Sequence, residues 1–480
     1  MSEKIYVLLR KNDGLHTGHG ITSEKPSTET VSSFFEQGTT EDNEVSRKSA
    51  SDKENGKIIN FRSVDKAFNQ SIAMYRDAVV STVKISPMVS ASVIAQQLGS
   101  YASEQGNKLD ELCDGDIEVY EFNNDSIHTI LKKNDEAIAA VNGAKYLPQI
   151  AVIGLISAYD AFLADLLRAI FTVRPELILT SDREVKFSDL TKYSSIEEVK
   201  ESIISEEIEG VLRKSHHEQI VWMENKFSMT LRSDLEVWPE FVELCERRNL
   251  LTHTGGIVSS QYLNNCKNHK CKLKVGVGDR LVVDSNYLTT AIEIIDEIGT
   301  KLVHTLWRKF VGSERDRADS RLNDKGMNLI RIKKYKTAER VLHFAVGQKK
   351  HSSDLIRRMM CVNLANSIKL SERKSDASAV LKNDDWSATS PQFRICVAAI
   401  NDEHDEVCKL MDLGQETIEI TASDFRDWPV FRSIRDVDQI VRKFEEIYGE
   451  PLVKAPRLKI NDAGDSDENE LSESKSGTIH

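Results

Sequence analysis

Between Gln149 and Val173 the chain is apolar almost without interruption. Ile150, Val152, Ile153, Leu155, Ile156, Phe162, Leu163, Leu166, Leu167, Ile170 and Phe171 cover more than one side of the helix that this stretch predicts. A helix that apolar belongs at the centre of a bundle or in a dimer interface. Pro148 stands where a first-turn proline is tolerated, and Pro175 closes the far end. A membrane span is the alternative, but Asp160, Asp165 and Arg168 lie inside the stretch and are costly in lipid. The stretch is therefore expected to be a buried helix in an all-α chain with no membrane partner.

The remaining sequence has to pack around that helix. With 480 residues, 40% of them hydrophobic and 29% charged, the chain is long enough for about two to four domains. A net charge of −12 argues against non-specific coating of nucleic acid but leaves room for a local basic site. Seven scattered cysteines without a framework spacing fit a reducing, cytoplasmic setting. Ile5–Leu9 is too short for the apolar core of a signal peptide and carries Arg10-Lys11 on its wrong side.

Residues 1–57 hold one short strand, Ile5–Leu9, and are otherwise expected to be disordered, because they have too little apolar surface to offset ordering. A helical region over 58–144 comes next. One helix there carries Val64, Phe68, Ile72, Tyr75, Val79 and Val83 and should stop at Ser86-Pro87, with a second over Met88–Tyr101 and a strand over Asp116–Phe122. Residues 145–313 are the central domain. Ser195–Lys226 reads as one charged amphipathic helix, and His216-His217 within it as surface residues. Pro239 opens a helix carrying Phe241, Val242, Leu244, Cys245 and Leu251, which Gly255-Gly256 cap. Lys272–Val275 and Arg280–Val283, on either side of Gly276–Asp279, predict a small β-hairpin. Asp284 or Ser285 then caps a helix reaching about Phe310.

Residues 314–452 form a C-terminal helical region. Gly326, Ala338 and Ala345, then Ala365 and Ala377, then Ala398 fall at offsets where paired helices cross closely in tetratricopeptide repeats. Tyr335–Leu342 is the best local match. The repeat-end prolines are missing, and an ordinary helical bundle is the alternative. An acidic tail over 453–480 is expected to be disordered.

Chemistry is concentrated in Glu246–Val258, where an arginine pair, an amide and a lone histidine meet a helix end. Asn249 and His253 stand at i and i+4 and share a helix face. Arg248 and His253 are five residues apart, about 7.5 Å along the axis and roughly 140° around it. One ideal helix therefore does not aim both at one phosphate, and two copies across a two-fold axis would. Histidine has the unperturbed pKa to move a proton at a ribose hydroxyl. A guanidinium holds a phosphate bidentately and stabilises its transition-state charge.

Arg248-Asn249-x3-His253 resembles the signature of the HEPN superfamily, an arginine, a polar residue and a histidine four to six positions after the arginine. Ala158–Arg168 is similar to the core helix that precedes the motif in that family, and Gly255–Val258 with Tyr262-Leu263 is similar to the segment after the motif. The likeness covers residues 145–312. It implies a helical bundle that dimerises and, in many members, a metal-independent endoribonuclease leaving a 2′,3′-cyclic phosphate and a 5′-hydroxyl, often in defence or toxin systems. Other members only bind nucleotides or scaffold, so a non-catalytic interaction protein is the alternative. The family's common tyrosine two residues after the histidine is replaced by Gly255.

The resemblance implies Arg248, Asn249 and His253 as catalytic residues. Arg247 competes by spacing, and Asp160, a buried acid that needs a partner, could orient the arginine or the histidine. Lys270, Lys272 and Lys274 form a basic segment that could help hold RNA. Cys266-x2-His269-x-Cys271 has metal-type ligands at a spacing that matches no common zinc site, so neither metal nor cofactor is expected. The expected partners are an RNA substrate, a second copy of the chain, and a regulator or partner protein on the C-terminal helices.

Overall fold

The computed structural model describes residues 6–12, 15–22, 59–108, 120–121, 124–179, 190, 193–232, 235–417 and 420–452. The acidic tail and most of 1–57 lie outside the described residues. So does the expected strand over Asp116–Phe122, apart from Tyr120–Glu121. The described chain is mostly helical. It divides into two compact units, one of residues 1–64 with 164–205 and one of residues 65–163 with 206–480. The second unit holds residues 145–163 and 206–313 of the central region together with the C-terminal region, and residues 164–205 of the central region belong to the first.

In the first unit, β1 (Tyr6–Asn12) pairs antiparallel with β2 (Leu15–Thr22), so two strands stand where one was expected. Within the same unit the C-terminal end of one helix and the start of another are tied by an Arg168–Glu201 ion pair. The Tyr193 hydroxyl lies 2.7 Å from Ser202 Oγ.

The second unit begins within α1 (Phe61–Met74), which a π-helical turn (Tyr75–Val79) and α2 (Val80–Gln105) follow. Pro87 lies inside α2 and does not end it, contrary to the sequence expectation. Pro148, expected in the first turn of a helix, likewise lies inside one, α3 (Asn124–Val173). Each ring removes one i→i−4 bond, but the turns on both sides keep theirs and the helix passes through. A short pair of strands, β3 (Asn107–Lys108) and β4 (Tyr120–Glu121), lies between α2 and α3. Ile138–Val173 is long and apolar enough to cross a membrane by composition. In the structure Val152, Leu155, Ile156, Tyr159 and Leu163 are buried, as in a core helix.

After α4 (Glu176–Leu179), the expected single helix over Ser195–Lys226 is two, α5 (Ile196–Leu212) and α6 (His216–Phe227). A capping box divides them: Ser215 accepts from the Glu218 N–H, and the Glu218 carboxylate accepts from the Ser215 N–H. α7 (Trp238–His253), α8 (Ser260–Asn268) and α9 (Ser285–Phe310) complete the central region, and Asp284 caps α9 through the Tyr287 N–H at 2.7 Å.

The hairpin expected at 272–283 does not form. The Gly276–Asp279 turn is present, but the segment after it pairs with the glycine stretch beyond α7. Val258 N–H donates to Asp279 O at 2.8 Å, Gly278 N–H to Val258 O at 3.0 Å and Leu281 N–H to Gly256 O at 2.9 Å. Those bonds occupy the backbone that Lys272–Val275 would have used. Gly256 is required here: its φ is +85°, and a Cβ would stand 3.1 Å from the Leu281 carbonyl oxygen.

α1 is seated on α9 through a missing side chain. A Cβ on Gly299 would lie 2.1 Å from Phe68 Cζ, and Phe68 in turn lies 4.3 Å from the Phe162 ring. Charged groups buried beside this contact are matched. Asp65 takes an ion pair from Arg321 on α10 (Arg315–Arg331) and lies 3.5 Å from His304, while Asp296 pairs with Lys325.

The C-terminal region continues in helix pairs. α10 packs with α11 (Tyr335–Val346), α12 (Asp354–Lys369) with α13 (Lys374–Leu381), and α14 (Pro391–Asn401) with α15 (His404–Thr417). α16 (Ala422–Asp427), a 3-10 turn (Pro429–Ile434) and α17 (Asp438–Tyr448) close it. The small residues lie at the crossings. Ala338, Ala345, Ala365, Ala377 and Ala398 are buried, and a Cβ on Gly326 would meet Leu342 Cδ2 at 2.4 Å.

Candidate functional site

α7 exists because Pro239 opens it, Phe241, Val242, Leu244 and Cys245 bury one side of it, and its last carbonyls are closed by the residues after His253. Thr254 N–H (2.9 Å), Thr254 Oγ1 (3.0 Å) and Gly256 N–H (3.0 Å) converge on the Leu250 carbonyl. Gly255 at φ +59° turns the chain away, so the glycines serve as a cap. The last turn of α7 is thereby held open to a pocket.

This pocket, of about 470 Å³, is lined by Arg248, Asn249 and His253 together with Leu212, Arg213, Lys214, Ser215, His216, Glu246, Leu250, Thr254, Ser259, Gln261 and Tyr262. Three of the residues singled out in sequence thus open on one cavity of a single chain. The ideal-helix estimate separated Arg248 from His253. The long arginine side chain and the helix end bring both to the pocket wall. The α5–α6 junction supplies Arg213, Lys214 and His216 opposite them, so cations predominate around it. Among the described residues, no hydrogen bond or ion pair engages the His253 ring or the Asn249 amide, and His253 is exposed.

Asp160 is at the inner end. Its Oδ1 lies 3.0 Å from His216 Nε2, and its Oδ2 3.7 Å from Arg248 Nη2. Arg248 Nη2 is also 3.5 Å from His216 Nε2, and Arg248 Nε is buried without a protein partner. Asp160 therefore meets the arginine, one of its two expected partners. The histidine it holds is His216.

His216 was expected at the surface, and the structure corrects this: its side chain is 7% exposed. Burial opposes charging the ring, but the Cys245 sulfur and the Asp160 carboxylate outweigh burial and lift its pKa to about 10. The signal was present in the sequence. His216, Gln219, Ile220, Met223 and Phe227 are the buried face of α6 at helical spacing, and Ser215-x2-Glu218 marks its start. His217 is partly buried instead. Its ring lies 4.3 Å from that of His269, which sets the histidine of Cys266-x2-His269-x-Cys271 against a second histidine. Cys266 is buried beside Tyr262 and Val258, and Cys271 Sγ donates to the Pro239 carbonyl at 3.1 Å. Among the described residues, no group of three or more His, Cys, Asp or Glu is arranged to hold a metal ion.

Arg247 belongs to a different cluster. It donates from Nε to Glu243 Oε1 (2.7 Å) and from Nη1 to the Val282 carbonyl (3.2 Å), and it lies 4.1 Å over the Tyr287 ring. Glu243 also accepts from the Tyr262 (2.7 Å) and Tyr287 (2.8 Å) hydroxyls. Burial, then Glu243, pushes both phenols well above their ordinary range, so they remain donors. Lys270 and Lys272 line a cavity with Arg247 and Glu243, not the Arg248 pocket, and Lys274 is exposed outside both.

Compared with family models, curated proteins and solved structures, the chain matches none.

Proposed function

We propose that the chain is a metal-independent endoribonuclease of the HEPN type, with Arg248, Asn249 and His253 as its catalytic residues. The observation that carries this reading is their meeting in one pocket with Arg213 and Lys214. His253, exposed and uncommitted, takes the proton of a ribose 2′-hydroxyl. The 2′-oxygen attacks phosphorus, the P–O5′ bond breaks, and the 5′-oxygen leaves as a hydroxyl by taking a proton from water, while His253 returns its proton to solvent. Arg248 binds the phosphate and stabilises the charge gathered on it. Asp160 and His216 position Arg248. Asn249 orients the phosphate or the imidazole.

In this reading the protein is a cytoplasmic defence or toxin effector that works as a homodimer, and its C-terminal region is a tetratricopeptide-like platform for a regulator or partner protein. The dimer draws support from exposed apolar side chains of the second unit, namely Ile85, Met88, Val89 and Val93 on α2 and Ile138, Tyr146 and Ile150 on α3. The same side chains favour a second reading, a non-catalytic interaction protein that dimerises and recruits partners. Cleavage of RNA in the presence of EDTA, with growth toxicity, separates the two when wild type is run beside Arg248→Ala and His253→Ala. Loss of both activities in both variants supports the enzyme, and wild-type behaviour in both rejects it. Sedimentation tests the dimer separately, and a strict monomer rejects it.

A further inference from the structure

A further cavity, of about 690 Å³, lies between α9 and the loop after α11. Lys301, Arg308, Lys309, Arg315, Lys349 and Lys350 all line it, and among the described residues no acidic residue does. In a chain of net charge −12, six cations around one cavity are not explained by composition. Two of them have carboxylate partners: Lys301 meets Glu297 at 2.7 Å, and Arg308 meets Asp319. Among the described residues, Lys309, Arg315, Lys349 and Lys350 have no ion-pair partner.

The cavity is built into the fold. Lys301 is 5% exposed, and the Arg308 side chain is 7% exposed. Arg308 Nη1 donates to the Lys350 carbonyl at 3.4 Å, which ties the loop to α9. Burial lowers the Arg308 pKa despite Asp319, and Arg315 adds to the lowering, so an anion placed here would relieve an existing repulsion. Leu231, Leu235 and Phe344 also line the cavity and give it apolar surface with one aromatic ring, and Gln348 supplies an amide. The volume is that of a small-ligand site. A single strand of RNA would need an open groove several nucleotides long.

We propose that this cavity binds a nucleoside polyphosphate, with its phosphates on Arg315, Lys349 and Lys350 and its base against Phe344 and Leu235. The site is separate from the Arg248 pocket and does not depend on cleavage there. Calorimetry on the full chain tests it with ATP, GTP, adenosine, inorganic tripolyphosphate and a short single-stranded RNA as probes. One triphosphate at least binds at one per chain, more tightly than adenosine or tripolyphosphate. The double variant Lys349→Glu/Lys350→Glu, and separately Arg315→Glu, bind about 10-fold more weakly or worse with an unchanged melting temperature of the free protein. Three results overturn the proposal: neither triphosphate binds, tripolyphosphate binds as tightly as the nucleotides, or folded charge-reversed variants bind as the wild type does. RNA binding without mononucleotide binding overturns it equally. Binding is read without cleavage, so a failure of the nuclease reading leaves this test intact.

Discussion

Arg247 and Arg248 reach different surroundings from α7, and their guanidiniums are held in different ways. Arg247 is fixed by a carboxylate, a carbonyl and an aromatic face. Arg248 has Asp160 at 3.7 Å and His216 at 3.5 Å, a buried Nε without a protein partner, and a pocket in front of it. An arginine whose donors are consumed internally stabilises the fold. One that keeps donors free beside a cavity can change partner when an anion arrives. The comparison separates scaffold from site in two adjacent residues of the same type.

The separation can be broken by substitution. Glu243→Ala should cost most stability, because it strands the buried Arg247 guanidinium and two phenol hydroxyls. A loss of about 3–5 kcal/mol in denaturant unfolding is expected, and a near-neutral result would remove the scaffold role. His216→Ala comes next, at about 1.5–3 kcal/mol for a lost hydrogen bond to a charged group. It also carries a pH signature. The His216 pKa is raised from the ordinary 6.5 to about 10 on folding. Its contribution is therefore complete below the ordinary histidine pKa and disappears as pH rises through about 10. Wild type should lose stability between neutral pH and that range more steeply than His216→Ala, and equal slopes would contradict the assignment.

Arg248→Ala should cost only about 0.5–1.5 kcal/mol, since Asp160 and His216 keep each other. His253→Ala should stay within about 0.5 kcal/mol of wild type. A large destabilisation by either would make the pocket wall a structural element.

Much of the fold and of the pocket is legible in the sequence where local chemistry decides the outcome. Gly255-Gly256 act as the cap of α7 because a positive φ is needed there, and Asp284 caps α9 for the same local kind of reason. The small residues of the C-terminal region mark helix crossings because a larger side chain would collide, as Gly326 shows against Leu342. Three features are not legible, each for its own physical reason. Lys272–Val283 has the pattern of a hairpin, but its backbone pairs with Gly256–Val258 instead. Pro87 and Pro148 look like helix ends, and the surrounding turns carry the helix past them. His216 is hidden for a different reason: the Ser215-x2-Glu218 start lies inside a stretch whose periodicity runs on, so α5 and α6 read as one helix. Spacing singles out Arg248 over Arg247 by the asparagine after it. Spacing pairs Glu243 with Arg247 on α7, but it does not show that the surroundings of the two arginines differ, because Tyr287, Val282 and Asp160 come from distant parts of the chain.

The most direct measurement is the rate of RNA cleavage in EDTA by wild type, Arg248→Ala, His253→Ala and Arg247→Lys, side by side. Wild type should leave 2′,3′-cyclic phosphate ends. Arg248→Ala and His253→Ala should each be slower by about 100-fold or more, and Arg247→Lys should stay close to wild type wherever it remains folded. Equal rates in Arg248→Ala and wild type, or a folded Arg247→Lys that is as inactive as Arg248→Ala, would contradict the assignment of the pocket.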